Sequence, residues 1–147
     1  MKKVAISACL LGEKCRYDES DNKDEALLNM LQDMELIPFC PEDHAFGTPR
    51  PTIDLVATDN GNKVLSNVSG KDLSNPIIEY AEIFFDKHKE LELYIGKDRS
   101  QSFGVCSERL YDEEKNLLSS EATGLMALEA KKQNIDCIDA EDYKELL

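Results

Sequence analysis

Lys3-Val4-Ala5-Ile6-Ser7-Ala8 is a short, almost wholly apolar run, followed at once by Cys9-Leu10-Leu11-Gly12. A run of this length without polar alternation fits a strand buried on both faces, as in the middle of a parallel sheet. Asp24–Met34 follows, with Leu27, Leu28, Leu31 and Met34 on one helical face. Leu36–Cys40 then reads as a second strand, stopped by Pro41. Strand, helix and strand at this spacing predict a right-handed parallel unit.

The rest of the chain continues the alternation. Pro41–Thr58 is rich in Pro, Gly and Thr and reads as a long irregular loop, of the kind that often carries function. Lys63–Val68 is a short strand. A helix capped by Ser74 or Asn75, with Pro76 in its first turn, carries the stripe Ile77, Ile78, Ala81, Phe84, Phe85 and His88. Leu91–Ile95 is a strand ending at Gly96, and Arg109–Leu118 a turn or hairpin. Glu121–Asn134 is a helix with Leu125, Met126 and Leu128 inward, Ile135–Ile138 a last strand, and Glu141–Leu147 a terminal helix. Residues 1–147 are thus expected to form a single three-layer α/β domain, a mostly parallel sheet with helices on both faces.

Composition narrows the partners. The formal net charge is −13, from 30 acidic and 17 basic residues. Such a surface repels phosphate backbones, so no nucleic-acid partner is expected. Lys14, Arg16, Arg50, Lys97 and Arg99 are the sparse cations near the interesting loops, and they suit a small anionic or polar ligand. No stretch reaches the 18 apolar residues of a membrane span, and the N-terminal run lacks a signal-peptide cleavage site. A cytoplasmic protein without membrane contact is the expectation. The residues carry no signal for oligomeric state.

Ligands of an open parallel sheet bind at the carboxyl ends of its strands. Three loops would meet there: Cys9–Tyr17, Cys40–Arg50 and Lys97–Cys106, and each carries cysteine. In a cytoplasmic chain five cysteines point away from disulfides, leaving core thiols, metal ligands and nucleophiles as the open readings. Cys9 and Cys15 fit either a buried hydrophobe or a ligand. Cys40-Pro41 has the proline often found beside iron–sulfur ligands. Glu42 is either a proton carrier or a solvated carboxylate. Arg50, stiffened between Pro49 and Pro51, can anchor a carboxylate, phosphate or carbonyl, or form a surface ion pair. Ser100 and Ser102 offer hydroxyls to a substrate oxygen or leaving group in what is otherwise an ordinary turn. His44 lies in the long loop as a ligand or a bystander; His88 and Cys137 read as structural.

Taken together, Ser7-Ala8-Cys9-Leu10-Leu11-Gly12, Cys15-Arg16-Tyr17-Asp18, Cys40-Pro41-Glu42, Thr48-Pro49-Arg50-Pro51, Gly70-Lys71-Asp72 and Arg99–Gly104 resemble one family over nearly the whole chain. It is the bacterial group called domain of unknown function 523, whose characterised branch is the thiouracil desulfidases. The resemblance implies a [4Fe–4S] cluster held by three cysteines with one iron open. It also implies exchange of sulfur for water oxygen on a small thiolated pyrimidine, without net redox change. Carried over, Cys9 and Cys40 are ligands, Glu42, Ser100 and Ser102 assist the chemistry, and Ser7, Arg50 and Phe103 face the substrate.

The chain also departs from that pattern. The family's third loop reads Ser-Pro-Ser-Cys-Gly, whereas this one reads Ser100-Gln101-Ser102-Phe103-Gly104. The third ligand is then expected from Cys106, with Cys15 as the other candidate. Asp43–Gly47 replaces the family's Gly-Gly-Leu stretch, and Tyr111-Asp112-Glu113 its Tyr-Asp-Gly. Two alternatives stand beside the cluster enzyme. One is a small-molecule-binding domain of the same fold without a cluster, Phe103 stacking on the ligand. The other is thiol or zinc chemistry at Cys9, Cys15 and Cys40.

Overall fold

A computed structural model describes residues 2–13, 23–42, 52–98 and 104–146. Its first sheet has the order β2-β1-β5-β8 and is parallel throughout. The strands are β1 (Lys3–Ser7), β2 (Glu35–Phe39), β5 (Leu93–Gly96) and β8 (Asp136–Asp139). β1 lies inside the sheet, and Val4 to Ser7 are buried, as its apolar run predicts.

Helices cover both faces. On one face, Val4, Ile6, Leu93 and Ile95 pack with Leu27 and Leu31 at α1 (Glu25–Met30) and with Ala140 of α4 (Ala140–Lys144). On the other, Ala5, Phe39 and Tyr94 pack with Ala81, Phe84 and Phe85 of α2 (Ser74–Lys87). Met126, Ala127 and Ala130 of α3 (Leu125–Lys132) complete that side. Alternating residues of β1 thus serve alternate cores.

A second sheet, absent from the sequence reading, lies beyond α2 and α3. Its order is β4-β3-β6-β7, built from the hairpins β3 (Ile53–Thr58) with β4 (Gly61–Ser66) and β6 (Glu108–Tyr111) with β7 (Leu117–Ala122). Parallel pairing of Leu55 with Leu110 joins the hairpins. Each hairpin sits just before a crossover helix, and Ile53, Leu55 and Val64 pack against Ile77 of α2 and Leu125 of α3. The layers are therefore helix, sheet, helix, sheet.

Several expectations change in detail. Part of Pro41–Thr58 is strand β3, because Ile53, Leu55 and Val56 are buried despite the Pro- and Thr-rich residues before them. Residues 121–122 close β7, and α3 starts only at Leu125. Leu128 points outward, 41% exposed, while Leu125, Met126, Ala127 and Ala130 face inward. Ser74 lies inside α2: its hydroxyl accepts the Val64 amide, and Asp72 Oδ1 accepts the Ser74 amide. Among the described residues, no helix is long and apolar enough to cross a membrane.

Asp24 ties the first helix to the last. Its Oδ1 accepts the Leu27 amide as the N-cap of α1, and its Oδ2 takes Lys144 Nζ of α4 at 2.8 Å. Partial burial opposes its charge, yet Lys144 and the Leu27 amide hold its carboxyl below the usual range. Asp24→Ala is expected to lower stability by about 1–2 kcal/mol, a fall of about 3–6 °C in Tm by calorimetry at pH 7.

Candidate functional site

At the carboxyl edge of the first sheet the chain changes direction. β1 is flanked by β2 on one side and β5 on the other, so the switch point lies at its end. The register pairs Ser7 with Phe39, and Cys9 and Cys40 follow these residues on neighbouring strands at this same edge. Cys40 also packs against the apolar cluster that contains Cys9. Two of the three expected ligands are therefore neighbours.

Cys9 sits in a single 3-10 turn, Ala8–Leu11, with Ala8, Cys9 and Leu10 buried. Gly12 ends it at φ +97°, its amide bonded to the Ala8 and Cys9 carbonyls. A Cβ there would combine this left-handed backbone with a 3.1 Å approach to Lys23 Cδ. The Leu-Leu-Gly after the cysteine is thus a device for turning the chain back.

Ser7 is fully buried, and its hydroxyl accepts the Lys97 amide at 3.0 Å. That bond bridges the switch point and holds the start of the third loop against the Cys9 turn. On β2, the Cys40 amide donates to the Tyr80 hydroxyl of α2 at 3.2 Å. Glu42 follows two residues later and is buried. Arg50, Ser100, Ser102 and Phe103 lie outside the described residues, as do Cys15 and His44.

Cys106 is placed differently. Asp139, buried at the end of β8, accepts the Val105 and Cys106 amides through its two carboxylate oxygens at 2.7 and 2.8 Å. The Val105 carbonyl accepts from Thr123 and Lys131, so Val105 is bolted to the entry of α3 as well. β8 is two strands from β1, about 10 Å at ordinary strand spacing. Cys106 is exposed and lines an open cleft of about 720 Å³ with Asp98, Ser107, Arg109, Glu121 and Asp142 among its walls. Among the described residues, no three Cys, His, Asp or Glu side chains group closely enough to hold a metal ion. Cys137, read as core, is half-buried, and burial pushes its thiol up to about 11.

One acidic residue escaped the sequence reading. Glu108 opens β6 opposite Ala122 and is 1% exposed. Its Oε1 accepts the Arg109 amide, while among the described residues Oε2 has no hydrogen-bond partner. Burial first, then the charges of Glu42 and Asp54, push its carboxyl up to about 7. No sequence signal marks it, since an acid next to an arginine at a strand start reads as solvated.

Glu108 gives folding a pH dependence with a definite sign. The unfolded carboxyl ionises near the ordinary value of 4.5 and the folded one near 7. Below 4.5 both states are protonated and nothing is lost; stability then falls as pH rises, and the full cost is present above about 7. That cost is on the order of 3 kcal/mol. Glu108→Gln is expected to raise the urea midpoint at pH 8 and leave it nearly unchanged at pH 4. An equal effect at both values would show that ionisation is not the cause.

The chain is 27% identical over 109 residues to the uncharacterized protein YbbK of Bacillus subtilis (strain 168), covering 69% of this chain and 72% of that one. It superposes on the solved structure of the [4Fe-4S]-dependent thiouracil desulfidase TudS with a TM-score of 0.78 and 25% identity, over 99% of this chain and 95% of the other. The profile of the 2-thiouracil desulfurase family matches residues 4–142. The chain belongs to the 2-thiouracil desulfurase family.

Proposed function

We propose that this protein removes sulfur from a small thiolated nucleobase such as thiouracil. The thione and one water are converted to the oxo base and sulfide, with no electrons gained or lost. The observation that carries this reading is the placement of Cys9 and Cys40 beside each other at the switch point of the parallel sheet. Membership of the 2-thiouracil desulfurase family supports it.

The donor chemistry fits two corners of a [4Fe–4S] cluster. Cys9 and Cys40 are soft thiolate donors on adjacent strand ends. The third thiolate is drawn from Cys106 or Cys15, since the family's own position is Phe103 here. When bound, such a cluster with one open iron supplies a soft Lewis acid for the departing sulfur. The protein's own groups do the rest. Glu42, buried two residues from Cys40, takes a proton from the attacking water. Ser100 and Ser102 hydrogen-bond the substrate, Arg50 anchors its carbonyl, and Ser7 keeps the third loop against the Cys9 turn through Lys97.

Phe103 at the third ligand position favours a second reading, in which the same pocket binds the base without a cluster and the phenylalanine ring stacks on it. Iron and acid-labile sulfide per chain after anaerobic reconstitution separate the two. The desulfidase reading expects about four of each, with release of uracil and sulfide from 2-thiouracil. Cys9→Ser and Cys40→Ser are each expected to abolish both cluster and turnover, and whichever of Cys15→Ser or Cys106→Ser does the same is the third ligand. A protein that takes up no iron yet binds thiouracil by calorimetry would replace the first reading with the second.

A further inference from the structure

Cys40 is fixed by more than its own strand. The pairing of β1 with β2 ends at Ser7 and Phe39, so the Cys40 amide lies one residue past the last paired position. Pro41 follows, which brings no amide of its own and restricts the backbone of the residue before it. Behind Cys40, Phe39 is buried and stacks on Tyr94 at 4.9 Å and 15°. A cysteine between a buried anchor and a proline needs one more constraint to set its peptide plane. The Tyr80 hydroxyl supplies it, accepting the Cys40 amide at 3.2 Å across a sequence separation of 40 residues.

Tyr80 is itself held rigidly. Its ring stacks on Phe84 one turn further along α2, with centroids 6.1 Å apart and planes 16° from parallel. Phe84 meets Phe39 edge-on at 5.7 Å and 71°. The chain of rings from Tyr80 through Phe84 to Phe39 therefore returns to the residue before Cys40. It closes a loop of contacts around that cysteine.

We propose that Tyr80 is a positioning residue for Cys40, its phenol oxygen orienting the thiol at the candidate site. This rests on the reading of Cys40 as a functional thiol and goes beyond it by naming what aims the sulfur. The phenol oxygen engages the Cys40 amide and so fixes the peptide that carries it. Removing the hydroxyl frees the Cys40 peptide to rotate while the ring stack on Phe84 stays in place.

Tyr80→Phe in the cluster-free full-length protein is the test. Its readout is the rate of iodoacetamide alkylation at each cysteine, resolved by peptide mass spectrometry at fixed pH. The expected result is a rise at Cys40 of about fivefold, the shift in population that losing one ordinary hydrogen bond permits. Cys106 and Cys137 should keep their rates. An unchanged rate at Cys40, or an equal rise at all cysteines, would overturn the proposal, whatever happens to Tm. Tyr80→Leu removes the ring as well and should raise the Cys40 rate at least as far; a rise in Tyr80→Leu without one in Tyr80→Phe would assign the effect to packing and reject the hydroxyl. Because no step requires iron or turnover, the result is independent of whether the protein proves to be a desulfidase.

Discussion

β1 is hydrogen-bonded in parallel on both sides, and the positions of Cys9 and Cys40 are measured from its end. Its neighbours β2 and β5 leave the same edge, one carrying Cys40 and the other Lys97. A one-residue slip of either pairing would turn alternate side chains to the opposite core, exchanging the Val4 and Ile6 face for the Ala5 face. Both faces are buried under helices, so that slip is costly and the register is firm. The placement of Cys9 and Cys40 at one sheet edge thus follows from core packing.

The first sheet was legible because its inner strands β1 and β5 are buried on both faces and read as plain apolar runs. Lys3–Ala8, Leu36–Cys40 and Leu91–Ile95 correspond closely to β1, β2 and β5. The second sheet has one face against helices, and its strands are mixed in composition, such as Leu117–Ala122 with Ser119, Ser120 and Glu121. Such strands exist only through their partners, and a local pattern does not reveal them. Leu128 shows the same limit from the helix side: on periodicity it belonged to the inward stripe, but the tight α2–α3 contact is made by Ala127 and Ala130 instead.

The site was legible in its motifs and opaque in its couplings. Cys9 and Cys40 could be found by sequence because each lies within two residues of a strand end. Asp139 could not, since its task is to accept two amides from a segment 33 and 34 residues away. Tyr80 and Glu108 belong to none of the motifs. In each case the meaning of the residue lies in which unpaired backbone or side-chain atom stands opposite, and that is fixed by tertiary structure.

α2 connects these layers. Ile77 faces the second sheet, while Ala81, Phe84 and Phe85 face the first, and Tyr80 packs on the side of the first. The entry to α2 is anchored on β4 through Ser74 and Val64. The β3–β4 hairpin and the phenol that accepts the Cys40 amide are therefore attached to the same helix. The second sheet contributes neither Cys9 nor Cys40, and meets the helix that carries Tyr80 through Ile53, Leu55 and Val64.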